Sequence, residues 1–184
     1  MMNEISLNIL DVAENSVSAG ASLCEIDVTA DSEKDTLTVI IKDDGRGMSE
    51  EVVKKVSDPF YTTRTTRKVC MGTSLFKMAA ECTGGRFEIC SALGSGTTVT
   101  AVFGLSHIDR MPLGDISATI HTLMVMNTGL DWVYRFKFDE NEFTVDTREI
   151  KEATDGVPID DPDVSGFIRD MLRENHAECK ADNL

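Results

Sequence analysis

The chain has 184 residues, of which 41% are hydrophobic, and it carries a formal net charge of −14 with a pI near 4.5. This size allows one full hydrophobic core with a small appended subdomain, and the negative charge argues against nucleic acid or an anionic membrane surface as the partner. The first residues show no signal-peptide pattern and no apolar run approaches the roughly 18 residues of a membrane span, so we expect a cytoplasmic protein.

The first predicted elements are a helix and a pair of strands. Apolar residues that recur three and four positions apart predict an amphipathic helix over residues 4–18. Alternating apolar and polar residues predict strands over 23–30 and 36–42, with a polar turn between them. A glycine-containing loop follows, and a short helix with glutamates in its first turn is expected over 48–58.

The next part of the chain begins with a segment that has no clear period. Residues 58–69 carry four threonines and three basic residues, so we interpret them as a loop. A helix is predicted over 73–82, because the helical pattern stops at a pair of glycines. Two alternating stretches over 86–92 and 97–103 are joined by a glycine-containing turn and are expected to form a hairpin.

Residues 105–184 are more acidic than the front of the chain, with 17 Asp and Glu against 8 Lys and Arg. They are predicted to form a helix over 114–127, a second hairpin from strands over 131–138 and 142–146, and a last helix over 162–177. We therefore expect two domains, residues 1–104 and a small C-terminal acidic α/β extension over 105–184.

This order of helices and strands predicts an α+β two-layer sandwich, with helices on one face of a mixed or antiparallel sheet. In the extension, Trp132, Tyr134, Phe136 and Phe138 alternate along one strand and so share one face. We expect this face to form a small core with the helix over 114–127. The methionine-rich face of that helix can instead serve as an adaptable interface, and the acidic surroundings would suit a basic partner protein.

The cysteines do not follow the spacing of a metal site. They form an odd set without a CxxC pair, so we expect no zinc ligands and reduced thiols. The five are Cys24, Cys70, Cys82, Cys90 and Cys179.

Asp11 and Asn15 are four residues apart on the first predicted helix and therefore share a face. The amide oxygen of Asn15 is a suitable ligand for Mg²⁺, which prefers oxygen atoms. The carboxylate of Asp11 could orient or deprotonate an attacking group. The alternative is that both side chains are solvated on the polar face of the helix.

Asp43 stands at the end of the second predicted strand and begins the loop Asp-Asp-Gly-Arg-Gly. Gly45 and Gly47 would let the backbone and the carboxylate approach a flat ligand closely. A carboxylate at this point can accept a hydrogen bond from an exocyclic amine such as that of adenine. The same residues are also common in turns, which is the alternative interpretation.

The loop over 58–69 supplies donors that could meet phosphate groups if it folds over them. Gly72 follows it at the start of a predicted helix, where backbone N–H groups favour anions. The alternative is a surface loop with solvated charges. The donors are Thr62, Thr63, Arg64, Arg67 and Lys68.

The turn between the predicted strands over 86–92 and 97–103 contains Gly-Ser-Gly and leads into Thr97 and Thr98. One of these hydroxyls could hydrogen-bond a base directly or through water. Structurally the stretch is also an ordinary tight turn that enters a strand.

Taken in order, five stretches of the front part resemble the motifs of the GHKL ATPase superfamily, which includes gyrase, heat-shock chaperone, histidine kinase and MutL-type ATPases. The asparagine box is similar to LDVAENSVSAGA, the first glycine box to DDGRGM and the phenylalanine box to DPFYTT. The second glycine box is similar to CMGTSLFK and the third to GSGTT. The resemblance covers the first 104 residues.

The resemblance implies the Bergerat fold, in which ATP and Mg²⁺ are held between helices and a lid. It implies that Asn15 is the Mg²⁺ ligand and that Asp43 binds the adenine amine. Gly45 and Gly47 would shape that pocket, and Thr97 or Thr98 would help to hold adenine through water.

The resemblance also implies roles at the phosphate end of the site. Lys68 and Gly72 belong to the lid and phosphate region. Asp11 occupies the position of a catalytic glutamate in gyrase-like and MutL-like members, one methylene shorter. Cys70 replaces the first glycine of the second glycine box, which would stiffen the lid and slow turnover without abolishing nucleotide binding.

Three functional interpretations follow from the sequence. The three histidines, His107, His121 and His176, do not fit a phosphoacceptor helix, so a self-contained sensor kinase is not expected. The chain is expected to be a regulatory ATP-binding protein that phosphorylates a partner protein, or a nucleotide-driven switch. The alternative is a non-catalytic interaction module with a degenerate lid.

Overall fold

The computed structural model describes residues 4–56, 71–179 and 184. The predictions for the loop over 58–69, including Lys68, and for Cys70 lie outside these residues. Within the described residues the helices are α1 (Ile5–Ser18), α2 (Glu50–Val56), α3 (Met71–Cys82), α4 (Ile116–Met126), α5 (Thr147–Ala153) and α6 (Pro162–Glu178). The strands are β1 (Leu23–Asp31), β2 (Thr36–Asp43), β3 (Arg86–Ser91), β4 (Thr97–Gly104), β5 (Asp131–Phe138) and β6 (Asn141–Asp146).

The strands form a single mixed sheet in the order β3-β4-β2-β1-β5-β6. Strand β2 runs antiparallel to both β1 and β4, while β1 and β5 run parallel. The register places Asp43 beside Cys24 on one side and beside Thr97 on the other. The ends of three strands therefore meet at the point where β2 enters its glycine-containing loop.

The main core lies between the sheet and the helical layer. Every second residue of β1 is buried, which is the pattern of a strand with one covered face: Cys24, Ile26, Val28 and Ala30. Helix α1 packs Ile5, Ile9 and Val12 into the same cluster, together with residues of α3, α4 and α6. The structure thus confirms the predicted α+β sandwich, with helices on one face of a mixed sheet.

The aromatic residues of β5 belong to this same core. Trp132, Tyr134 and Phe136 are almost completely buried in the cluster that also contains the apolar residues of α1 and β1. The predicted packing of this face with α4 is present, since Ile120 and Leu123 belong to the same cluster. This core is also continuous with that of α1 and β1, because parallel pairing of β5 with β1 extends the sheet. The backbone also links the two parts, since Ile5 N–H donates to the carbonyl of Pro112 (3.0 Å).

Helix α5 was not predicted from the sequence. It has seven residues, and only Ile150 among its large apolar side chains is buried, so no helical period is visible in so short a stretch. The side chain of Asp146 caps it by accepting from the N–H of Arg148 (2.9 Å). Lys151 anchors it to β5 through an ion pair with Asp131 (2.7 Å).

Across residues 4–56 and 71–179, none of the helices is both long enough and apolar enough to span a membrane.

Candidate functional site

The carboxylate of Asp43 is held in place at the end of β2. Its Oδ2 accepts a hydrogen bond from the hydroxyl of Ser16 (3.0 Å), and its Oδ1 accepts from the backbone N–H of Gly45 (2.9 Å). The side chain is only 9% exposed. Two donors therefore fix the orientation of the carboxylate and leave further lone pairs on both oxygens for a ligand.

Asp43 and Asn15 line the same pocket. Asn15 projects from α1, one residue before Ser16, and is half-buried. Thr73 of α3 and Thr97 of β4 add polar groups to the lining. The other walls are largely apolar and come from Val12, Ile41, Met48, Val56, Ile89 and Val99. A pocket with apolar walls and few fixed polar groups suits a flat, partly polar ligand.

Asp11 lies against the first turn of α3. A Cβ atom added to Gly72 would stand 2.3 Å from Asp11 Oδ2, so the close approach of the two helices requires glycine at that position. Burial raises the pKa of the Asp11 carboxyl above its usual value. Asp11 and Asn15 are one helical turn apart, which gives α1 two oxygen-bearing side chains on one face.

Two glycines bring the loops at the end of β2 into contact. Gly47 has a φ of +65°, and an added Cβ would stand 1.9 Å from the carbonyl oxygen of Ala92. Gly96 has a φ of +80°, and an added Cβ would stand 1.9 Å from the carbonyl oxygen of Asp43. Larger residues at either position would push the hairpin of β3 and β4 away from Asp43. An added Cβ at Gly45 would also stand too close to its neighbours, at 2.8 Å from Ala19 Cβ and 2.9 Å from Asp43 Oδ1.

Ser91 connects the loop after β2 to the hairpin. Its hydroxyl oxygen accepts from the N–H of Met48 (2.8 Å) and lies 2.9 Å from both the carbonyl oxygen of Gly96 and the hydroxyl of Thr97. This network holds the Thr97 side chain beside the pocket that Asp43 lines.

Thr97 and Thr98 lie on opposite faces of the sheet. Thr97 pairs with Asp43 across the β2–β4 ladder and lines the pocket. Thr98 pairs with Lys42 and Cys90, both exposed, on the other face of the sheet. Of the two alternatives left open by the sequence, Thr97 is therefore the one placed for contact with a ligand.

Cys24 lies beneath the Asp43 end of the pocket and is completely buried. Burial, with a smaller contribution from the charge of Asp43, raises the pKa of its thiol to about 12. The thiol therefore stays protonated and behaves as a small apolar group.

Sequence reasoning missed two residues that organise the site, Ser16 and Ser91. Ser16 follows Asn15 directly, and its role depends on α1 packing over the end of β2, which no local pattern reveals. Ser91 ends β3, and only the pairing of β3 with β4 brings it to Thr97.

The described residues offer few ligands for a metal ion. Within residues 4–56 and 71–179, no group of three or more His, Cys, Asp and Glu side chains is arranged to hold one. An amide oxygen such as that of Asn15 is a suitable ligand type for Mg²⁺, which keeps several of its waters and binds few protein groups.

Comparisons with known proteins match more than half of the chain to a sensor histidine kinase and to a sensor protein. An NtrY-like sensor histidine kinase of Rickettsia conorii is 28% identical over 108 residues, which are 59% of this chain and 18% of that protein. The sensor protein SrrB of Staphylococcus aureus is 35% identical over 102 residues, 53% of this chain and 17% of that protein. The match thus spans less than a fifth of the length of these relatives.

A solved structure and a family model extend the comparison. The N-terminal domain of a DNA repair protein superimposes with a TM-score of 0.52 at 10% identity, over 79% of this chain and 52% of that one, which shows a shared fold. The model of the family described as histidine kinase-, DNA gyrase B-, and HSP90-like ATPase matches residues 1–107. The resemblance seen in the sequence is thereby confirmed, and the chain belongs to this ATPase family.

Proposed function

We propose that the chain is a cytoplasmic regulatory protein that binds ATP with Mg²⁺ in the pocket between α1 and the end of β2, and that it transfers phosphate to a partner protein. The observation that supports this proposal is the carboxylate of Asp43, fixed by Ser16 and Gly45 in a pocket that Asn15 also lines. The fixed carboxylate of Asp43 suits the edge of adenine that carries the amine. The amide of Asn15 suits a Mg²⁺ ion bound to phosphate groups.

The adenine end of the proposed site uses Asp43 as the acceptor for the exocyclic amine. The base would lie between the apolar side chains of Ile41, Met48 and Val99, which line the same pocket. Thr97 would bind the ring directly or through a water. Gly45 and Gly47 keep the loop compact at this end.

The phosphate end uses α1 and the start of α3. Asn15 would bind Mg²⁺, which supplies charge neutralisation for the phosphates when bound. Gly72 would present backbone N–H groups at the beginning of α3, and Lys68 would contribute a charge from the lid. Asp11 would orient the attacking hydroxyl group and accept its proton.

Calorimetric titration with ATP tests the binding proposal directly. We expect saturable binding that strengthens when Mg²⁺ is added. A folded protein that gives no heat at millimolar ATP, with or without Mg²⁺, would rule the proposal out.

Replacing Asn15 with alanine is expected to remove the effect of Mg²⁺ on ATP binding. Loss of a metal-bound amide should weaken binding roughly tenfold or more when Mg²⁺ is present, and change little when EDTA is present. The measurement is calorimetry in both buffers. Glu14→Ala, an exposed neighbour on the same helix, is the control. An Asn15→Ala variant that keeps its full response to Mg²⁺ would refute the role of the amide.

Replacing Asp11 with asparagine is expected to lower ATP turnover without lowering thermal stability. Burial raises the folded-state pKa of Asp11 above 3.8, so the stability present below pH 3.8 is lost as pH rises through the folded-state pKa. An asparagine amide does not ionise, so it loses no stability as pH rises. The variant should therefore melt no lower than the parent protein at neutral pH. ATP turnover should fall about 100-fold if Asp11 is a general base.

Thermal denaturation between acidic and neutral pH, with ADP release measured in parallel, checks both parts of the Asp11 prediction. Glu14→Gln provides the matched acid-to-amide change at an exposed site on α1. Unchanged ADP release in Asp11→Asn would show that Asp11 is not the base.

The alternative function is nucleotide-gated binding of a partner without phosphoryl transfer. The sequence feature that favours it is Cys70 in place of a lid glycine. Incubation with radiolabelled ATP distinguishes the two functions, because transfer labels a partner and a gated module yields neither ADP nor labelled protein.

A further inference from the structure

A groove that contains no predicted site residue opens beside β6, at the far end of the sheet from β3. It lies between the end of β6, helix α5 and helix α6. Its apolar lining consists of Val145, Ile150, Ala153, Phe167 and Met171. Phe167 is 61% exposed, which is a large apolar area for a position on a surface helix.

Strand β6 forms the edge of the sheet next to this groove. All of its residues, Asn141–Asp146, pair with β5 on one side, and within the described residues no strand pairs with its other side. The register with β5 has no bulge, and the strand contains neither Lys nor Pro. A bulge, Lys and Pro are three of the features that prevent an edge strand from pairing, and their absence from β6 favours the addition of a strand.

The charges around the groove select the kind of strand that can bind. Glu149 lines the groove, and Asp163 and Asp170 stand four residues before and three residues after Phe167 on α6. Within the described residues, neither Glu149 nor Asp163 takes part in an ion pair, whereas Asp170 is paired with Arg169. A second copy of this acidic edge would be repelled, and a basic strand would be attracted.

We propose that β6 and the adjoining groove bind an extended segment of a partner protein in which Lys or Arg alternates with apolar residues. The segment adds a strand to the free edge of β6. Its apolar side chains cover Phe167 and Met171, and its basic side chains meet Glu149 and Asp163. This surface is separate from the pocket at the end of β2, and the proposal does not depend on nucleotide binding.

Fluorescence anisotropy with a labelled synthetic peptide tests this proposal on the full chain. The probe is a peptide of about ten residues in which Lys alternates with Val, long enough to span β6. Two control peptides are used: one with the same composition but all Lys in one block, and one with alternate backbone amides methylated. We expect only the alternating, unmethylated peptide to bind tightly.

Four protein variants locate the binding surface. Phe167→Ala and Glu149→Lys should each weaken binding of the probe roughly tenfold. Leu93→Ala and Glu88→Lys make matched changes at the hairpin and strand of the opposite sheet edge, and should leave binding unchanged. Circular dichroism of every variant reports whether the fold is retained.

The proposal would be overturned by equal binding of the block peptide or the methylated peptide, which would indicate general attraction to an acidic protein. It would also be overturned if a folded Phe167→Ala variant bound the probe as well as the parent chain does, or if no peptide bound at all.

Discussion

Replacing Asp43 with asparagine is expected to weaken ATP binding by about 100-fold, the largest loss of affinity among the substitutions considered for the pocket. The carboxylate accepts from Ser16 and Gly45. Its remaining lone pairs would accept from the amine of the proposed adenine base. An asparagine of the same size has one acceptor oxygen and one NH₂ donor. The NH₂ group would have to face the hydroxyl of Ser16, the N–H of Gly45 or the amine of the proposed adenine base. Each of these groups is itself a donor, so one hydrogen bond would be replaced by two opposed donors.

The measurement is calorimetric titration of ATP into each variant. Asp44→Asn is the matched control, because Asp44 is exposed and its Oδ1 accepts instead from the N–H groups of Ser22 and Leu23 (2.7 and 2.9 Å). We expect Asp44→Asn to bind ATP nearly as the parent chain does. If Asp43→Asn, shown to be folded, retained the parent affinity, the adenine base would have to bind elsewhere.

Replacing Phe136 with alanine is expected to lower the free energy of unfolding by about 3–5 kcal/mol. The ring is completely buried and contacts Phe143 and His176, with ring centroids 5.8 and 4.9 Å apart. In the β1–β5 ladder Phe136 stands beside Val28, which lies in the same cluster as the apolar residues of α1. The loss should therefore destabilise the part of the chain that forms the pocket at the end of β2 as well as the extension.

Thermal and urea denaturation, followed by far-ultraviolet circular dichroism, give the size of this effect. Phe167→Ala removes the same side chain from an exposed position and should change stability by less than about 0.5 kcal/mol. We expect Phe136→Ala to unfold in a single transition at a melting temperature roughly 10 °C lower. Two separate transitions in this variant would show instead that the extension unfolds independently of the ATPase part.

Much of the local structure could be predicted because the periods in the sequence are strong. The helix over 4–18 and the strand over 23–30 have long runs of regularly spaced apolar residues, and α1 and β1 match them closely. Asp43 and Asn15 could be selected because each stands at a marked position, one at a strand end before glycines and one on the polar side of a helix. Helix α5 could not be predicted, because an Asp146 cap and an ion pair with β5 stabilise it.

The sequence by itself determined the family of this chain and the residue types at its pocket, since five short motifs in order require no knowledge of distant contacts. Only the tertiary structure decided that Ser16 fixes Asp43, that Thr97 rather than Thr98 faces the pocket, and that β5 joins β1 in one sheet. The physical reason is that these features depend on strand register and helix packing between residues far apart in the chain. Local periodicity records which face of an element is buried, but it does not record which element covers that face.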